Sequence, residues 1–97
     1  MILSEIQISL IKQTDGLIGF ASLVIDNQIY LSSIGIHKKL SSAGYRLTYP
    51  KKNGFDLFYP ITAQASQFIE TAIFEKLEDV MKKARDDRYN HYEYSNR

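Results

Sequence analysis

The sequence predicts an α+β domain in which an antiparallel five-stranded β-sheet is followed by one long C-terminal amphipathic helix. Two changes in pattern predict this class. Before Pro60, short segments of alternating apolar and polar residues are separated by turn residues, as in strands and hairpins. After Pro60, apolar residues recur at steps of three and four, which is the period of a helix. A chain of 97 residues has room for a single core.

The first strand is predicted over residues 2–11, because its even positions are mostly apolar and alternate with polar residues. Thr14-Asp15-Gly16 then predicts a tight turn, since Asp bonds nearby backbone and Gly accepts a positive φ. We therefore expect the second strand to return antiparallel to the first.

The second strand, residues 17–25, is apolar on both of its predicted faces. One face carries Leu17, Leu23 and Ile25, and the other carries Ile18, Phe20 and Val24. This pattern favours a central strand that is covered on both sides. A single helix covers only one face, so we expect a homodimer to cover the other; a sheet that curls on itself is the alternative.

A turn at Asp26-Asn27 leads into a third strand over residues 28–36, which is rich in β-branched and aromatic residues. Residues 37–44 lack periodicity and are predicted to form a loop. Alternation resumes over residues 45–49, which predicts a fourth strand that Pro50 ends.

Asn53-Gly54 is the preferred pair for a two-residue hairpin turn, and it predicts a short fifth strand over residues 55–59. Thr62 is the predicted N-cap of the helix that follows, because a threonine hydroxyl can accept a bond from an early helical N–H. The predicted apolar stripe of that helix consists of Phe68, Ile69, Ala72, Ile73, Leu77, Val80, Met81 and Ala84. We expect one domain over residues 1–85 and a flexible polar, aromatic tail over residues 86–97.

Composition excludes several classes of function. Twelve Lys and Arg against eleven Asp and Glu give a net charge of +1, which provides no general attraction to nucleic acid or acidic membranes. The absence of cysteine excludes disulfides, thiolate catalysis and Cys-based metal sites. No apolar run approaches the roughly 18 residues of a membrane span, and the N-terminus lacks the pattern of a signal peptide. We therefore predict a cytoplasmic protein without a membrane partner.

No catalytic or cofactor motif appears. The serines lie outside any G-x-S-x-G or S-x-x-K arrangement, the glycines form no phosphate-binding loop, and adjacent carboxylates lie on a solvated helix face. The two histidines, His37 and His91, are far apart in sequence, and His37 is followed by two lysines. We expect no enzyme activity, no metal site and no cofactor.

One region has a strong local charge. No acidic residue lies between Asp26 and Asp56, and the same stretch contains the basic residues Lys38, Lys39, Arg46, Lys51 and Lys52. Cations at this density can neutralise phosphates, and the rings of Tyr45 and Tyr49 are candidates for stacking on bases. The alternative is that turns collect lysine for solubility alone.

Several segments together resemble one family. They are Gly16-Leu-Ile-Gly-Phe-Ala-Ser-Leu-Val-Ile-Asp26, the strand through Ile36, Gly44-Tyr-Arg-Leu-Thr-Tyr-Pro50 with Lys51-Lys52, and Tyr59-Pro60-Ile61. In order and spacing they resemble the SpoVG family (stage V sporulation protein G, septation regulators) over about residues 4–83. The turn between the two prolines is shorter than the usual family loop, and Gly35 stands where the family commonly has an arginine.

The resemblance implies a small, dimeric, cytoplasmic bacterial protein that regulates sporulation or septation and binds DNA or RNA. The family's basic residues after the strand-ending proline are implicated in nucleic-acid binding, and Lys51 and Lys52 match them. A second hypothesis stays open, a protein-interaction module in cell-division control that binds no nucleic acid and uses the outer sheet face and the Tyr-rich tail.

Overall fold

A computed structural model describes the backbone of residues 1–95 and the side chains of residues 1–84. The elements are β1 (Leu3–Thr14), β2 (Leu17–Ile25), β3 (Ile29–Lys38), β4 (Tyr45–Thr48), β5 (Lys51–Lys52), β6 (Phe55–Asp56) and α1 (Ala63–Ser95). All strand pairs are antiparallel, and the helix follows the strands. The predicted α+β class is confirmed.

The prediction of a single five-stranded sheet is wrong. The main sheet has four strands in the order β1-β2-β3-β4, and β5 and β6 form a separate two-stranded ribbon. Pro50 lies between β4 and β5 and cannot donate to a ladder, which ends the pairing of the main sheet there. The segment predicted as the fifth strand contributes only Phe55–Asp56, and it pairs with the two lysines before it.

A β-bulge in β2 changes which residues face the core. Leu17 pairs with His37 and Gly19 pairs with Ile36, so that Ile18 is an extra residue on β2. The side chain of Ile18 is 8% exposed and belongs to the core. Leu17 takes the place of Ile18 on the outer face, where its Cδ1 lies 3.5 Å from the position of a Cβ built at Gly35. The homodimer that the apolar pattern of β2 suggested stays a prediction.

Helix α1 packs on one face of the main sheet. Its residues Ile69, Ile73 and Leu77 form the core with the sheet residues Ile18, Ala21, Leu23, Ile34 and Ile36. These three helix residues were predicted as part of the apolar stripe, and their burial confirms its centre. Phe68 and Ala84 are exposed, so they lie at the margin of the stripe.

Both ends of the helix bear on the predicted boundaries. The backbone N–H of Ala65 donates to the hydroxyl of Thr62 at 3.0 Å, which confirms Thr62 as the N-cap. The helical backbone continues to Ser95, beyond the predicted domain end at residue 85. The side chains from residue 85 onward and all of residues 96–97 lie outside the described residues, so the flexible tail stays a prediction.

No helix in the described part of the chain has the length and apolar character needed to cross a membrane.

Candidate nucleic-acid interface

Lys38 and Lys39 lie where β3 passes into the loop before β4. Lys38 is the last residue of β3 and pairs with Tyr45. Its backbone N–H donates to the carbonyl of Gly16 at 2.8 Å, and that of Lys39 donates to the carbonyl of Gly44 at 3.1 Å. The backbone is thus held on both sides, while both lysine side chains are exposed. The loop therefore presents two cations from an anchored backbone.

Arg46 lies on β4, the edge strand of the main sheet, and pairs with His37. The Arg46 side chain is exposed, whereas His37 is half-buried with its Nε2 2.8 Å from the hydroxyl of Thr48. Burial, and secondarily the charge of Arg46, lowers the pKa of His37 below its usual 6.5. His37 is therefore neutral at pH 7, and Arg46 supplies the positive charge at this position.

Lys51 and Lys52 form the first strand of the ribbon. Lys51 pairs with Asp56 and Lys52 pairs with Phe55. Asn53 and Gly54 have φ angles of 52° and 81°, as a two-residue hairpin turn with positive φ at both central positions requires. Both lysine side chains are exposed. The predicted Asn-Gly turn is thereby confirmed.

The five predicted basic residues are spread along β4 and the two segments that flank it. Lys38 is level with the start of β4, Arg46 lies on β4, and Lys51 lies six residues after Tyr45. At about 3.3 Å per extended residue, the two lysine pairs are separated by up to roughly 20 Å. Phosphates of one duplex strand follow each other at about 3.4 Å along the helix axis, so a stretch of this length can contact a short run of backbone rather than a single phosphate.

Tyr45 and Tyr49 lie on the other side of β4, under the helix. The Tyr45 hydroxyl donates to Sδ of Met81 at 3.5 Å, and its ring centroid lies 6.2 Å from that of Phe74. The ring of Tyr49 meets Phe58 edge-on, with centroids 6.0 Å apart. Both rings are half-buried against the core. The base-stacking role predicted for these tyrosines does not fit this placement, because their rings pack against the core and are not free to contact a base.

The Tyr49 hydroxyl is shielded from solvent and has no hydrogen-bond partner among the described residues. It lines an apolar cavity of about 200 Å³ between the sheet, the segment before α1 and the start of the helix. Burial, and secondarily the charge of Glu70, raises the pKa of Tyr49 to about 12. Tyr49 is thus a neutral core residue.

The exposed aromatic residues of the sheet and ribbon are different ones. Phe20 on β2 and Tyr30 on β3 are 39% and 66% exposed on the sheet face away from the helix, and Phe55 on the ribbon is 75% exposed. Sequence reasoning assigned Phe20 to a covered face and gave Tyr30 and Phe55 no role. The only signal for Tyr30 was its place in the acid-free stretch.

The residues that the structure describes contain no group of three or more potential metal ligands. No family model, no curated protein and no solved structure matches this chain.

Proposed function

We propose that the protein is a SpoVG-like bacterial regulator of sporulation or septation that acts in the cytoplasm as a homodimer and binds DNA or RNA. Its contacts to the phosphate backbone come from Lys38, Lys39, Arg46, Lys51 and Lys52. The observation that carries the proposal is the exposure of all five cations along β4 and its two flanking turns, in a stretch without any acidic residue.

The physical basis is the release of counterions. Each phosphate that a lysine or arginine neutralises frees condensed cations, which favours binding at low salt without any sequence preference. Arg46 can in addition bind a phosphate with two parallel hydrogen bonds, because its guanidinium is a planar fork. No enzyme activity or cofactor is part of the proposal.

A homodimer strengthens this surface without a new contact. A net charge of +1 provides little long-range attraction, so one chain relies on a small local patch. Two copies on one nucleic acid make the second contact intramolecular, which raises the overall affinity when both patches can engage together.

A second candidate is a protein-interaction module. It is favoured by four large apolar side chains that are more than half exposed in and after the ribbon, namely Phe55, Leu57, Tyr59 and Ile61. Clustered exposed apolar residues mark protein-binding surfaces. The affinity of a protein partner that buries these apolar side chains should depend only weakly on salt, whereas the affinity for phosphates should depend on it strongly.

The test is a fluorescence-anisotropy titration of mixed-sequence DNA and RNA, single-stranded and duplex, at about 50 mM salt. The variants are Arg46→Glu and the double variant Lys51→Glu/Lys52→Glu. Lys12→Glu is the matched control, because Lys12 is an exposed lysine on β1, the opposite edge strand.

We expect wild type and Lys12→Glu to bind alike, and the other two variants to lose most of the affinity. All four substituted positions are exposed, and circular dichroism checks that the fold is retained. Absence of binding by wild type to every strand would contradict the proposal. Equal loss in Lys12→Glu would show that overall charge, and not this surface, controls the affinity.

A further inference from the structure

We infer that the sheet face away from the helix binds single-stranded nucleic acid, with Phe20 and Tyr30 stacking on unpaired bases. This inference rests on the proposed function and names both its substrate class and a second contact surface. Helix α1 covers the other face of the sheet, and among the described residues no element packs over this one. The inference therefore requires the homodimer of the proposed function to form through a surface other than this face.

The two rings share one depression. Phe20 and Tyr30 both line a shallow groove of about 210 Å³ on the outer face. Tyr30 pairs with Val24, four residues along β2 from Phe20. At about 3.3 Å per residue, the two positions are roughly 13 Å apart along the strand, which is far enough for each ring to stack on a separate base. Aromatic residues on an open four-stranded sheet are an established means of stacking two or three bases.

The rest of the groove is polar and uncharged. Its other lining residues are Gln7, Ser9, Ala21, Ser22, Ser32 and Ser33. A register shift in β3 places Ser33 at a φ of 64°, and both Ser32 and Ser33 line the groove as a result. Hydroxyl and amide groups donate and accept hydrogen bonds, so they can meet the edges of bases, and the lining contains no carboxylate to repel phosphate.

Gly35, which has no side chain, lies between the groove and β4, the edge strand that carries Arg46. Phe20 pairs with Gly35 on β3, and Gly35 pairs with Thr48 on β4. A Cβ built at Gly35 would lie 2.5 Å from the Thr48 hydroxyl, so this position has no space for a side chain. Arg46 is two residues from Thr48 along β4 and hence on the same face.

These features favour a single strand over a duplex. Rings stack on bases only where the bases are unpaired, whereas a duplex offers its backbone and groove edges. The strand would place bases on Phe20 and Tyr30 and its phosphates toward Arg46. Charge complementarity agrees with this orientation, because β3 and β4 lie within the acid-free stretch.

The test compares a 12-nucleotide mixed-sequence RNA and DNA strand with the corresponding duplexes by anisotropy at about 50 mM salt. The variants are Phe20→Ala, Tyr30→Ala and Tyr30→Phe. Phe68→Ala is the matched control, because Phe68 is a 51% exposed aromatic residue on the helix and outside this groove. Thermal melting of each variant checks the fold, and Tyr30 is exposed enough for its truncation to leave the core intact.

We expect Phe20→Ala and Tyr30→Ala each to weaken single-strand binding by about fivefold to 100-fold, since stacking contributes about that much per base. Tyr30→Phe keeps the ring and should bind like wild type, as should Phe68→Ala. Single-strand binding by Phe20→Ala and Tyr30→Ala that equals wild type would overturn the inference, as would tighter binding of duplex than of single strand. Either of these results leaves the proposed function standing, whereas no binding of any nucleic acid contradicts both.

Discussion

The ammonium group of Lys51 lies 3.6 Å from the carboxylate of Asp56, across the two-stranded ribbon. Both side chains are largely exposed, so the pair contributes at most about 1 kcal/mol to stability. Its main consequence is electrostatic, because Asp56 offsets one of the two positive charges on the ribbon.

Asp56→Asn should therefore tighten nucleic-acid binding. Removing a unit charge about 4 Å from a cation changes the local interaction by about 1 kcal/mol in water, which corresponds to an increase in affinity of roughly threefold to fivefold. The measurement is the anisotropy titration at low salt, with Asp79→Asn as control, because Asp79 is an exposed carboxylate on helix α1 and outside the basic surface. Unchanged or weaker binding by Asp56→Asn would argue against a phosphate contact at Lys51.

Stability should decline on acidification through His37. Its pKa in the folded protein is lowered, so the unfolded chain binds more protons as the pH falls through 6.5. The contribution of His37 is thus fully present above pH 6.5 and is lost between that value and its lower folded pKa. Urea unfolding at pH 7.5 and 5.5 should show a smaller decline in His37→Gln than in wild type. An NMR titration that places the pKa of His37 at or above 6.5 would refute this explanation.

Tyr49 should ionise at a higher pH than a tyrosine side chain in water. Its pKa of about 12 lies above the usual value of 10, so the ultraviolet titration of tyrosinate should retain a late step that Tyr49→Phe removes. The same shift affects stability, because the unfolded chain loses this proton near pH 10 while the folded chain retains it. Stability is therefore lost as the pH rises from 10 toward 12.

At neutral pH, Tyr49→Phe should preserve or increase the free energy of unfolding, by up to about 1 kcal/mol, because none of the described residues bonds to the buried hydroxyl. Tyr45→Phe is the matched comparison, since it removes a hydroxyl that donates to Met81. We expect Tyr45→Phe to be the less stable of the two variants in urea unfolding. The reverse order would contradict the packing of both rings described above.

Gly19→Ala should destabilise the domain by about 1–3 kcal/mol. A Cβ at Gly19 would lie 2.6 Å from the backbone carbonyl oxygen of Ser9, and relief of that contact requires the β1 and β2 backbones to move apart. Ser22→Ala on the same strand is the control, with an expected change within about 0.5 kcal/mol. Equal unfolding midpoints for the two variants would show that β1 and β2 are not so closely apposed.

Much of the fold could be predicted because it depends on local pattern. The period-two segments, the Asn53-Gly54 turn, the Thr62 cap and the centre of the helix stripe each follow from residues close together in the chain. The bulge at Ile18 could not be predicted, since an extra residue in a strand leaves the composition unchanged and appears only in the register with β3. The predicted number of strands in the main sheet was wrong for a related reason. Which strands pair depends on the three-dimensional arrangement of the chain and not on the pattern within each strand.

Some features of the candidate site could likewise be predicted from the sequence, and others could not. Exposure of the five cations was predictable, since lysine and arginine are rarely buried and the four lysines lie in or beside a loop or turn. The burial of Tyr45 and Tyr49 was not, because it depends on which face of β4 the helix covers. The outward position of Phe20 and Tyr30 depends on the same choice, so only the three-dimensional arrangement separates the core aromatic residues from the surface ones.

The central claim is that Lys38, Lys39, Arg46, Lys51 and Lys52 bind the phosphate backbone, and the salt dependence of affinity tests it most directly. Anisotropy titrations from about 50 to 200 mM salt should give a logarithm of affinity that falls linearly with the logarithm of salt concentration. The Lys51→Glu/Lys52→Glu variant should show a slope shallower by roughly 1.4 to 1.8, the loss of two phosphate contacts, while Lys12→Glu keeps the wild-type slope. Affinity that does not change with salt, or the same slope in the double variant as in wild type, would contradict the claim.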